Sequence, residues 1–187
     1  MHNFMYRVNA LLTLAGTSLA AICMLTSSTD LFQNTQLTAD VQLAKVERMY
    51  RTENNDEALL GLSIKVDLNP LFTWNTKEVF LFVDVEYNTT KNDLNQVSIW
   101  DRIILHGMDP MINLSYVRSK YKLVDQGHNL RGQTVNLTLK WNTIPFTGAM
   151  RSDRVVFPNI SLPSEYTRRT AGKNEFRQRF VEGDLLG

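Results

Sequence analysis

From Val8 to Leu25 the sequence contains no charged side chain, and a chain bearing such a run either folds with it in a bilayer or has it removed. The run is about 18 residues long, at the lower end of what crosses a hydrocarbon core as a helix. Arg7 and the α-amino group precede it, and Asp30 is the first charge after it. That basic-flank bias places the N-terminus in the cytoplasm and everything downstream across the membrane. Asn9, Thr13, Thr17 and Ser18 dilute the hydrophobicity, and Ser18-Leu19-Ala20 has the small-x-small pattern of a leader cleavage site. Two readings are therefore open. In one, a short cytoplasmic N-terminus (1–7) leads into a retained transmembrane helix (8–27); in the other, a secretory leader is cut to leave a start near Ala21. Gly16 and Ala20, and likewise Thr13, Thr17 and Ala21, fall at four-residue spacing, which puts small groups on one helix face where another membrane helix can approach.

The remainder suits one folded domain. The 187 residues are 43% hydrophobic and 21% charged, a balance that fits one core rather than two, or a disordered chain. A net charge of +1 gives no general attraction to nucleic acid, and no aromatic interleaving of the basic residues suggests a nucleic-acid groove. The only cysteine, Cys23, lies inside the apolar run, which removes disulfides and thiol chemistry from the downstream domain. Four N-glycosylation sequons begin at Asn88, Asn113, Asn136 and Asn159, all beyond the run. Their one-sided placement fits a lumenal domain.

Between Leu60 and Leu68, apolar Leu60, Leu62, Ile64, Val66 and Leu68 alternate with Gly61, Ser63, Lys65 and Asp67, the period of a strand with one buried face. Val79–Tyr87 is apolar on both parities at first and then alternates with Asp84 and Glu86, which predicts a central strand covered at one end. Gln96–Leu105, Lys120–Val124 and Thr134–Trp141 continue the series. In the last of these, Val135, Leu137, Leu139 and Trp141 share one face, so a glycan on Asn136 points away from the core. Polar or glycine-containing turns separate the runs, and no helical period interrupts them. The expected fold is therefore mainly β: one N-terminal transmembrane helix and then an antiparallel β-sandwich over 28–166. Residues 69–75 read as a turn or helical corner packed by Phe72 and Trp74. From 167 to 187 basic and acidic residues mix with few apolar ones, which reads as a solvated, flexible basic tail. Phe176 and Phe180, four apart, mark a candidate short helix within it.

No catalytic motif emerges. His106 and His128 are the only histidines beyond the run, and neither has a second ligand at zinc spacing. Ser98 or Ser119 can be combined with His106 or His128 and Asp101 or Asp125, but no G-x-S-x-G nucleophile motif supports any such triple. Asp84, Glu86, Asp101 and Asp125 supply carboxylates for a sugar-hydrolysing pair, yet Asp84 and Glu86 most simply form the wet face of a strand. P-loop and dinucleotide fingerprints are absent, and no cofactor is implied.

One central stretch is more specific. Leu71-Phe72-Thr73-Trp74-Asn75-Thr76-Lys77, then Val79–Val83, Glu86-Tyr87 and Leu94-Asn95-Gln96-Val97-Ser98-Ile99-Trp100-Asp101, resembles subunit 3 of the eukaryotic signal peptidase complex. Lys120-Tyr121, Asp125–Gly132 and Asn136-Leu137-Thr138-Leu139-Lys140-Trp141-Asn142 follow in that family's order. The resemblance covers Met1 to about Tyr166; the weakly apolar run and the tail from Thr167 depart from it. It implies a single-pass (type II) endoplasmic-reticulum membrane protein with a lumenal β-sandwich. Its implied role is that of a non-catalytic accessory subunit, whose partners are the catalytic serine-protease subunit, the other small membrane subunits and the lipid bilayer, with no nucleic acid. No catalytic residue carries over; Trp74, Asn95, Gln96, Trp100 and Asp101 are the structural or partner-contact candidates. The rival reading is a secreted or cell-surface β-sandwich that binds a ligand after its leader is removed.

Overall fold

The computed structural model describes residues 3–32 and 36–167. Its first element, α1, spans Phe4–Thr29 and extends beyond the expected 8–27 at both ends. Asn3 caps its start, the side-chain oxygen accepting from the Met5 amide at 3.3 Å, which satisfies a backbone donor that the helix cannot pair. The hydroxyls that dilute the run are paired within it. Thr13 and Thr26 donate their hydroxyls to the carbonyls of Asn9 and Ile22, and Ser18 donates to that of Leu14 at 2.7 Å. Such back-bonding pairs these hydroxyl donors where an apolar surrounding offers no other acceptor. No residue of α1 is buried, and the helix is long and apolar enough to cross a membrane by length and composition.

Eight strands follow: β1 (Thr38–Arg51), β2 (Asp56–Asp67), β3 (Thr76–Tyr87), β4 (Asn95–Leu105), β5 (Met111–Arg118), β6 (Leu123–Val124), β7 (Thr134–Pro145) and β8 (Arg151–Ser161). They form two antiparallel four-stranded sheets. One runs β1-β2-β5 with β6 also paired to β2, and the other runs β4-β3-β7-β8. Between them lies one core that includes Leu60, Leu62 and Ile64 of β2, Leu81, Val83 and Val85 of β3, and Leu137, Leu139 and Trp141 of β7. Mainly β structure after a single N-terminal apolar helix is what the hydropathy pattern predicts.

β2, β3, β4 and β7 stand where period-two alternation places them. Lys120–Val124 is different: only Leu123–Val124 is a strand, and the residues before it link two strands of one sheet while touching β4 of the other, the Tyr121 amide donating to the Ile99 carbonyl at 3.0 Å. Residues 69–71 do form a 3-10 turn, with Leu71 buried and Phe72 packed against the core. Trp74, expected to pack that corner, is instead 62% exposed. A further correction concerns the outer face of β3, which is not wet. Asp84 is only 4% and Glu86 8% exposed, because Lys140 on the neighbouring strand lies across both, its Nζ 2.8 Å from Asp84 Oδ2 and 3.1 Å from Glu86 Oε1. The tail from residue 168, with Phe176 and Phe180, lies outside the described residues.

Candidate functional site

The catalytic candidates are pulled apart by the fold. Ser98 Oγ donates to Asp84 across the β3–β4 pair, while Ser119 Oγ is buried and accepts from the Leu60 amide at 3.2 Å. His106 lies between aromatic rings, 6.3 Å from Phe72 and 6.4 Å from Phe146. At the other end of the sandwich, His128 Nδ1 is 3.1 Å from Asp56 Oδ1. Among the described residues no serine hydroxyl is hydrogen-bonded to a histidine. Nor do Asp84 and Glu86 form an acid–base pair. Burial works against ionisation of Glu86, but Lys140 and Gln96 outweigh it and hold the carboxyl below the usual range. Glycoside chemistry needs one protonated carboxyl, and this site favours the ionised form.

The five contact candidates do not make one patch. Trp100 is buried opposite Val83. Asp101 lies on the outer face opposite Phe82, 3.4 Å from Lys120 Nζ. Asn95 and Gln96 begin β4, where Asn95 Nδ2 donates to the Tyr87 carbonyl and Gln96 Nε2 donates to Glu86 at 2.7 Å. Trp74 precedes β3, at the opposite end. At about 3.3 Å per residue, the length of β3 separates Trp74 from Asn95 by roughly 35 Å.

The outer face of the β4-β3-β7-β8 sheet nevertheless has a definite chemistry. Toward α1 it is apolar, with Phe80 and Phe82 stacked at 5.3 Å beside Ile103 and Leu105, both exposed. Toward the far end it is polar, with Gln96, Ser98, Asp84, Glu86 and Lys140 tied together. Asp101 stands at the boundary between the two halves.

The sequons differ in surroundings. Asn88 is exposed in the β3–β4 turn, and Asn113 is exposed in β5. Asn136 is half-buried on the outer side of β7, as the alternation predicts, and its Oδ1 accepts from the Asn159 amide at 3.2 Å. Asn159 itself has φ 64° at an irregularity in the β7–β8 pairing. The Thr138 that completes the Asn136 sequon is fully buried.

Two clusters are held by long-range bonds that no local pattern in the sequence announces. At the end of the sandwich farthest from α1, Asp125 accepts from Tyr87 Oη (2.8 Å) and from the Gly127 and Asn129 amides (3.1 and 3.0 Å), and Asp56 accepts from the Leu130 amide and Tyr166 Oη (3.3 and 2.9 Å). Burial opposes ionisation of Asp125, but Tyr87 and Asn129 prevail and keep its carboxyl below the usual range. At the near end, Asn75 Nδ2 donates to Asp30 Oδ2 and to the Thr147 carbonyl, both at 2.8 Å, and Arg151 donates to the Asp30 carbonyl. These bonds join three segments distant in sequence, which is why neither cluster shows as a local pattern.

Known proteins supply the remaining link. A family model described as signal peptidase subunit matches residues 1–165. The chain is 36% identical over 178 residues to signal peptidase complex subunit 3 of Caenorhabditis elegans, covering 89% of this chain and 97% of that protein. It is 29% identical over 168 residues to the protein of that name from Dictyostelium discoideum, covering 90% of this chain and 98% of that protein. The Gallus gallus protein of the same name matches at 33% over 157 residues, covering 80% of this chain and 87% of that protein. With matches that run through both the apolar helix and the paired sheets, the chain belongs to the signal peptidase complex subunit 3 family.

Proposed function

We infer that this chain is a non-catalytic accessory subunit of the signal peptidase complex of the endoplasmic-reticulum membrane. It is a type II protein: residues 1–7 are cytoplasmic, α1 is an uncleaved anchor and the sandwich is lumenal. There it supports assembly and stability of the complex and positions the catalytic serine-protease subunit during signal peptide removal. The observation that carries this reading is the junction at Asp30. Asn75 and Arg151 grip the residue that ends α1, so the helix is a handle fixed to the domain rather than a leader hung from it. The separation of every serine from both lumenal histidines supports a positioning role over a hydrolytic one. A glycan on Asn136 is attached before β7 closes, since Thr138 is buried in the folded sheet.

The face that meets the catalytic subunit is the outer side of the β4-β3-β7-β8 sheet. Ile103 and the Phe80–Phe82 pair supply apolar area there, and Gln96 and Asp101 supply the polar margin. Interfaces of this kind draw their affinity from a few desolvated apolar and aromatic anchors. Affinity purification of the full chain in mild detergent should recover the serine-protease subunit. The exposed substitution Ile103→Asp should reduce that recovery severalfold without changing the circular dichroism of the chain. Undiminished recovery would exclude this face.

A further inference from the structure

We propose that the end of the sandwich nearest α1 is a membrane-surface foot, on which Trp74, Phe146, Met108 and Met150 enter the headgroup layer of the same bilayer that α1 crosses. This rests on the reading of α1 as a retained anchor. The uncharged stretch from Val8 to Thr29 is about 33 Å long as a helix, close to the roughly 30 Å of a hydrocarbon core. Ser27 to Asp30 then stand at the lumenal boundary. The β7–β8 hairpin is held at that depth, for a Cβ on Gly148 would lie 2.7 Å from Ser27 Oγ, with φ at +121°. The β2–β3 corner is held there too, through the hydrogen bond of Asn75 to Asp30.

The side chains next to these two fixed points are apolar and turned outward. Trp74, beside Asn75, is 62% exposed, and Phe146, beside Thr147, is also 62% exposed. Met150, in the same hairpin, and Met108, in the β4–β5 turn, are exposed as well. The three turns are one structure: the Phe146 amide donates to the Asn75 carbonyl at 2.8 Å, the His106 amide to the Lys77 carbonyl at 2.9 Å, and the His106 ring faces Phe146. Indole and phenyl rings collect at the membrane–water boundary, where the ring is partly dehydrated and the indole N–H stays bonded. The helix fixes the position of this end relative to the bilayer whatever proteins assemble around it. Lipid is therefore the occupant that the geometry favours. Such a foot fixes the tilt of the sandwich over the membrane, and with it the height at which any bound subunit is held.

Tryptophan fluorescence tests this directly. Of the three tryptophans, Trp100 and Trp141 are buried in the core at 3% exposure, so Trp74 is the one that lipid can reach. The full chain is reconstituted in phosphatidylcholine vesicles whose acyl chains carry bromine near the headgroup. Quenching should be several-fold greater for the wild type than for Trp74→Phe, and Phe146→Asp should reduce it by lifting the hairpin. Equal quenching of wild type and Trp74→Phe would overturn the foot. So would a purified complex in which Trp74 is shielded from aqueous iodide yet untouched by brominated lipid, since a protein would then cover it. Alkaline carbonate extraction separates the two levels of inference. A chain that resists extraction with Trp74 unquenched loses only the foot, whereas a chain that is extracted loses the anchor itself.

Discussion

Asp125 is buried, and its carboxylate holds the 125–132 turn closed while receiving the hydroxyl of Tyr87 from the core side. Hydrogen bonds to a charged acceptor are worth about 1.5–3 kcal/mol each in the net, and a donor left unpaired in such a site costs a similar amount. Asp125→Asn keeps the shape but removes the charge and one acceptor. It should lower stability by about 2 kcal/mol, a fall of several degrees in the melting temperature of the full chain in detergent. The pH dependence has a definite sign. Because the folded carboxyl titrates below its ordinary value, its stabilisation is complete above the usual aspartate range, near pH 4. It is lost as the pH falls through the lower folded value. The gap between wild type and Asp125→Asn should thus be constant near neutrality and close in acid; a gap independent of pH would show that charge is not what matters. Asp125-Gln126-Gly127 is legible in the sequence as a turn, because those residue types favour turns wherever they occur. Its bond to Tyr87 is illegible, since nothing local couples a turn aspartate to a strand tyrosine 38 positions earlier.

At the level of the strand, β7 shows why alternation identifies the buried face more reliably than it describes the other one. Val135, Leu137, Leu139 and Trp141 face the core as their spacing requires, but Thr138 on the opposite side is equally buried. The cause is lateral: Lys140 lies over Asp84 and Glu86, and Gln96 and Ser98 reach across from β4. Removing the ammonium leaves two desolvated carboxylates side by side, and breaking a buried ion pair in this way costs about 3–5 kcal/mol. Lys140→Ala should therefore destabilise the chain near the lower figure at neutral pH, since the ammonium is partly exposed. Part of the loss should return in acid, as Glu86, no longer held below its usual range by the ammonium, takes up a proton; thermal melts from neutral to mildly acidic pH read both. Bulges explain the strands that alternation did not find. β1 is irregular between Leu43 and Lys45 and again between Val46 and Arg48, so the period of two kept by Ala39, Val41 and Leu43 stops there, and Val46 and Met49 follow three apart. β5 has an irregularity opposite Leu62–Ile64, and β8 is an edge strand with exposed Arg151, Asp153 and Arg154, an internal Pro158 and a left-handed Asn159. Edge strands carry such charges and prolines because they discourage pairing with another chain, and the same residues erase the strand signal.

For the molecule as a whole, the question that the apolar run poses is whether Ser18-Leu19-Ala20 is ever cut. The residue types read as a cleavage site, yet the backbone there is mid-helix, with Ser18 Oγ bonded back to the Leu14 carbonyl and α1 continuous to Thr29. A protease that binds its substrate in an extended form would have to unwind the helix on both sides of the bond. Loss of the first twenty residues would also leave only Ala21–Thr29, about 13 Å of helix, against a core of about 30 Å. The sandwich would keep Asp30 clamped by Asn75 and Arg151 but would have no span beneath it. Intact-mass measurement of the protein purified from endoplasmic-reticulum membranes should accordingly show the segment before Val8 still attached. A mature start near Ala21 would remove the anchor and the membrane foot together, and would make the chain a soluble sandwich whose exposed Trp74 and Phe146 await another partner. The same preparation treated with an endoglycosidase reads the lumenal placement independently. A mass decrement in whole glycan steps requires that the sequons, all on the sandwich side of α1, have crossed the membrane.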